Sequence, residues 1–138
     1  MTTVDIKKLF NYWYTETDYS WEAAESLFKN DKYSEALFFG HLAVEKILKA
    51  NVVAETKQHA PPIHDLLKLS KLAMLQLTQT QHDEIEFFSK FYLSCRYDNY
   101  KMGFRKQCTK KFTEENMAKM KKYYLWFKEE AKNKFRAP

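Results

Sequence analysis

The chain has 138 residues, of which 45% are apolar and 17% aromatic, so it is long enough to bury a core and too apolar for a disordered tail. Only two glycines and three prolines leave few sites for the tight turns of a many-stranded sheet, whereas helices need few such breakers. The net charge of +5 is unevenly spread: residues 1–95 hold 10 Lys or Arg against 13 Asp or Glu, and residues 96–138 hold 13 against 5.

The first helix is expected from about Val4 to Asn30, with Thr3 as its cap and Ile6, Phe10, Trp13, Thr17, Trp21, Ala24 and Phe28 recurring every three or four residues. After the polar Asn30-Asp31-Lys32 step, a second helix runs from about Tyr33 to Thr56. Its stripe of Ala36, Phe39, Ala43, Ile47 and Ala50, widened by Leu37, Val44 and Leu48, suits the centre of a bundle. Pro61-Pro62 is the clearest break, since paired prolines cannot continue a helix. A third helix is expected from about His64 to Leu75. A fourth begins near Thr80, with Asp83 and Glu84 in its first turn and Ile85, Phe88, Phe91, Tyr92 and Cys95 along it. Residues 96–112 read as a polar, aromatic and basic loop. Thr113 then caps a last helix whose stripe is Met117, Met120, Tyr124, Phe127 and Ala131.

The expected fold is therefore all-α: one domain over 1–138, an up-and-down antiparallel bundle of four to five helices. No apolar run is long enough to span a bilayer, and the N-terminus lacks the apolar core of a signal peptide. Cys95 and Cys108 make neither a disulfide framework nor a paired Cys-x-x-Cys site, which suits a reducing, cytoplasmic setting. The basic C-terminal third points to a polyanionic partner (nucleotide, nucleic acid or acidic protein) or to a lysine-rich solvated face.

Two stretches hold candidate chemistry. His41, Glu45 and Lys49 share one face of the second helix at four-residue spacing, with Lys46 at its edge. They form either an ordinary ion pair beside a core histidine or a polar site. The His41-x-x-x-Glu45 spacing suits two metal ligands, but no second ligand pair lies nearby, so no metal is expected. His64 and Asp65 open the third helix, either as caps or with His64 turned to the same polar spot. Arg96, Tyr97, Asp98 and Tyr100 combine a guanidinium, two phenols and an acid. They suit phosphate binding and base stacking, or a structural bridge from Arg96 to Asp98 or Glu45. No phosphate loop is possible with Gly40 and Gly103 as the only glycines, and no cofactor motif is present.

The run Tyr33 to Ala50, with its Ala43-Val44-Glu45-Lys46-Ile47-Leu48-Lys49-Ala50 core, resembles the second-helix signature of the HEPN family (higher eukaryotes and prokaryotes nucleotide-binding). His64-Asp65-Leu66 resembles the family's Thr/Ser-His-Asp-Leu block, and Arg96-Tyr97-Asp98 its Arg-Tyr-Pro-Asp box without the proline. Trp21 and Ala24 suit its first helix. The resemblance implies a bundle similar to the C-terminal domain of aminoglycoside nucleotidyltransferases, a homodimer, and a nucleotide- or RNA-binding site drawn from His41, Glu45, Lys46, Lys49, His64, Arg96, Tyr97 and Asp98. It also implies pairing with a small nucleotidyltransferase as toxin and antitoxin. Many members are metal-independent ribonucleases that place a His four to six residues after the Arg. Here no His follows Arg96, and Asn99, Tyr100, Lys101 and Met102 stand in that neighbourhood. The expectation is thus a binding module more than an enzyme. A ribonuclease using Arg96 with Tyr100 or His64 and a purely structural interaction subunit are the alternatives.

Overall fold

The computed structural model describes residues 1–97 and 103–136. Among them the chain forms seven helices and no strand: α1 (Thr3–Lys29), α2 (Tyr33–Thr56), α3 (Leu66–Leu72), α4 (Gln79–Ser89), α5 (Phe91–Arg96), α6 (Gly103–Gln107) and α7 (Lys110–Arg136). The expected helical bundle is present, with short α3–α6 filling the space between three long helices.

α1 begins one residue before its expected start, because Thr2 and Asp5 form a reciprocal cap. The Thr2 hydroxyl accepts from the Asp5 N–H at 3.1 Å and the Asp5 carboxylate from the Thr2 N–H at 3.3 Å. At the far end Asp31 takes a left-handed φ of 61°, and the Lys32 N–H donates back to the Leu27 carbonyl at 2.9 Å. That reversal lays α2 antiparallel along α1. α2 occupies the expected residues and is buried on most of its circumference from Ser34 to Ala54. Such an all-round face needs cover on several sides, and α1, α3, α5 and α7 supply it.

Two polar ties cross this packing: Thr17 Oγ1 donates to the Ala43 carbonyl at 2.6 Å, and Asn51 Nδ2 donates to the Phe127 carbonyl at 3.0 Å. Gly40 allows α7 close approach, since a Cβ there would stand 2.6 Å from the Met120 methyl. Contacts of Gly40 with Met120, Asn51 with Phe127 and Glu55 with Lys134 show that α2 and α7 run in the same direction. Phe88, Phe91 and Phe127 are fully buried, each contributing about 1.5–3 kcal/mol by area.

Three further stretches differ from expectation. α3 is shorter at both ends: Asp65 lies outside it as the cap, accepting from Leu67 and Lys68 N–H at 3.0 and 3.2 Å, and Met74 turns the chain with a φ of 58°. The single fourth helix is divided into α4 and α5 at Lys90, where the N–H donates to Phe87 in a tightened three-residue turn. The expected loop over 96–112 contains α6 and the start of α7. Thr109, not Thr113, caps α7, its hydroxyl accepting from the Phe112 N–H at 3.1 Å. Thr113 lies inside the helix and is fully buried.

The charge asymmetry along the chain is folded back on itself. Lys128 meets Asp18 at 2.7 Å, Lys119 meets Glu84 at 3.6 Å, Lys134 meets Glu55 at 3.8 Å and Arg105 meets Glu35 at 2.8 Å. Basic groups of the C-terminal third thus neutralise acids of the first two thirds.

Candidate functional site

The buried face of α2 carries an acid, Glu45, which is only 4% exposed. A bare carboxylate there would cost several kcal/mol in lost hydration, so its surroundings must supply donors. Three do. His41 Nε2 stands 3.2 Å from Glu45 Oε1, His64 Nδ1 stands 3.0 Å from the same oxygen, and Lys49 Nζ stands 3.1 Å from Oε2. Burial, the largest single influence, pushes the Glu45 pKa up. The His41 hydrogen bond, the Lys49 and His41 charges and the His64 hydrogen bond together outweigh it and hold the carboxyl below its ordinary range.

The hydrogen-bond directions follow from the partners. His41 is fully buried, and its Nδ1 lies 3.2 Å from the Phe88 carbonyl in the last turn of α4. A carbonyl only accepts, so Nδ1 donates, and Nε2 faces a carboxylate that also accepts. With Lys49 on Oε2, the carboxylate is locked in place. Lys49 is 5% exposed, and its ammonium also lies 5.1 Å from the centre of the Trp13 ring.

His64 connects this buried cluster to the surface. Its side chain is 44% exposed, and the ring stacks on Tyr92 with centroids 3.9 Å apart and planes 14° from parallel. Arg96, four residues after Tyr92 on α5, donates to the Tyr92 hydroxyl. Its guanidinium lies 4.9 Å from the Tyr92 ring and 5.1 Å from the ring of Tyr97, which is 66% exposed. Beside this ladder is a surface depression of about 290 Å³ lined by His64, Asp65, Ser89, Tyr92 and Leu93. A larger groove of about 440 Å³ between α4 and α7 holds the Glu84–Lys119 pair and none of the Glu45 cluster.

Of the residues singled out from the sequence, His41, Glu45, Lys49 and His64 thus share one hydrogen-bonded cluster, and Arg96 and Tyr97 join it through Tyr92. Lys46 is not among them and pairs with Glu16 on α1 at 3.5 Å. Asp98 and Tyr100 lie outside the described residues. Tyr92 and Trp13 belong to the site but read from the sequence as members of apolar stripes. The four-residue step from Tyr92 to Arg96 was the available signal. Among the described residues, no group of three or more His, Cys, Asp or Glu side chains is arranged to hold a metal, and no helix is long and apolar enough to cross a membrane.

The fold and cluster define a small all-α domain with one buried carboxylate hub opening onto a cation–aromatic surface. The chain belongs to the HEPN family: the HEPN domain model matches residues 10–131, nearly the whole chain. No curated protein and no solved structure matches it.

Proposed function

We propose that the chain is a nucleotide- or RNA-binding module whose contact surface is the ladder of His64, Tyr92, Arg96 and Tyr97. The observation that carries this reading is the pre-stacked guanidinium, held over two phenol rings at 4.9 and 5.1 Å beside an exposed imidazole. Arg96 supplies paired donors for a phosphate, and the rings supply faces on which bases of a single strand stack, each such stack contributing about 1–3 kcal/mol. Membership of the HEPN family supports a nucleotide- or RNA-related role.

The test is fluorescence anisotropy with labelled single-stranded RNA and with a labelled ATP analogue at low salt. We expect binding by the wild type and at least tenfold weaker binding by Arg96→Ala. Absence of binding to either ligand would sink the proposal.

The family resemblance extends it to a homodimer and to pairing with a small nucleotidyltransferase as toxin and antitoxin. Leu93, 61% exposed and three residues before Arg96, would be covered by such a partner. Light scattering and co-purification test these two associations.

A further inference from the structure

We infer that the outer face of α1 is a self-association surface, on which a second copy of this chain packs antiparallel about a two-fold axis through Thr15. This goes beyond the RNA-binding reading and does not depend on it, since none of the residues involved belongs to the Arg96 surface.

α1 is covered on its inner side by α2 and α7, and Phe10, Thr17, Trp21 and Ala24 are buried there. Its outer side carries Val4, Lys8, Tyr12, Thr15, Tyr19 and Glu22, all exposed. Their steps of four, four, three, four and three residues hold them within about a quarter of the helix circumference. A surface helix ordinarily fills that arc with polar groups. Here Val4, Tyr12 and Tyr19 occupy it, 61%, 55% and 64% exposed. Tyrosine is enriched where proteins meet, because its ring gives a large contact area for the loss of only two side-chain torsions.

The order of residues along this face is self-complementary. Lys8 and Glu22 each stand seven residues from Thr15, and Tyr12 and Tyr19 stand three and four residues from it. Antiparallel pairing centred on Thr15 therefore sets Lys8 of each copy opposite the partner's Glu22, and Tyr12 beside the partner's Tyr19. Each contact occurs twice, as an isologous interface requires. Parallel pairing would set Lys8 on Lys8 and Glu22 on Glu22, so charge selects the antiparallel arrangement. The flanking acids Glu16 and Asp18 are already held by Lys46 and Lys128. Among the described residues, Lys8 and Glu22 enter no ion pair. Thr15 at the axis is a small side chain, which suits helix axes about 8–10 Å apart. With 27 residues α1 is about 40 Å long, enough to carry all of these contacts. A different partner helix would need the charge order of α1 reversed in space, and a second α1 supplies it. Where the Arg96 side also pairs, the α1 contact joins two dimers into a tetramer. Where it does not, the α1 contact makes the dimer.

The experiment is light scattering on the full chain at low salt across a concentration series. We expect Lys8→Glu and Glu22→Lys each to associate about tenfold more weakly and to show half the wild-type mass. An equimolar mixture of the two variants should recover the wild-type mass, because each then presents the opposite charge to the other at both pairs. A role of either residue in folding alone would not give that recovery. Thr15→Cys should form, under mild oxidation, a disulfide-linked pair of chains that is absent from the wild type. A monomeric wild type overturns the inference and leaves this face to a different protein. Wild-type mass in both charge variants, or no recovery on mixing them, overturns it as well. None of these results bears on RNA binding, which the Arg96→Ala measurement decides separately.

Discussion

Glu45 shows how one residue can be costly and still retained. Its carboxylate is buried against three nitrogen donors within 3.2 Å, so its removal would leave the buried Lys49 ammonium without its counter-ion and His41 Nε2 without its partner. Breaking a buried pair in this way costs about 3–5 kcal/mol. Glu45→Ala should therefore lower the urea midpoint by a corresponding amount, and a loss under 1 kcal/mol would contradict the cluster. The pH dependence has a defined sign. A carboxyl held below its unfolded value of 4.5 contributes stability that is present above that pH and lost as pH falls through the lower folded value. Urea titrations from pH 6 downward should show a fall in stability beginning near the unfolded value, and Glu45→Gln should flatten it. The four-residue spacing of His41, Glu45 and Lys49 was legible in the sequence. Burial was not, because spacing cannot tell a solvated ion pair from one covered by α5 and the segment before α3.

At the scale of elements, the largest differences between sequence and structure sit where two residues compete for one capping role. Thr113, followed by Glu114 and Glu115, has the pattern of a helix start, yet Thr109 caps α7 and Thr113 lies within it. Nothing in the dibasic Lys110-Lys111 step stops a helix, so α7 extends back to the earlier threonine. Thr109→Ala should cost about 1 kcal/mol as a lost cap. Thr113→Val should be neutral or stabilising, because the buried Thr113 hydroxyl has no hydrogen-bond partner among the described residues. Thermal melts of the two variants check both, and the opposite order would restore the sequence-based boundary. The limits of α2 were readable from the polar step before it and the double proline after it. The short α6 carries too few residues for any periodicity to show. The division at Lys90 had no signal in the sequence, since no glycine or proline stands there.

For the whole molecule, the charge pattern along the chain misleads until the chain is folded. Lys119, Lys128, Lys134 and Arg105 each meet an acidic partner, so the C-terminal third offers less free positive charge than its composition promises. The proposed binding surface accordingly rests on Arg96 and its aromatic neighbours rather than on the lysines of α7. Lys128→Ala should cost on the order of 1 kcal/mol of stability, through its partly exposed bridge to Asp18, and leave RNA affinity within about twofold. The salt dependence of binding should be shallow, with a slope set by one or two phosphate contacts. A steep slope would return the lysines of α7 to the interface.

The most direct test of this account is an NMR titration of ¹⁵N-labelled protein with a short single-stranded RNA. The account predicts that shifts concentrate on His64 to Leu66 and on Ser89 to Tyr97, and that they vanish in Arg96→Ala. Shifts concentrated instead along Lys119 to Lys132 would contradict it, and would move the binding surface to α7.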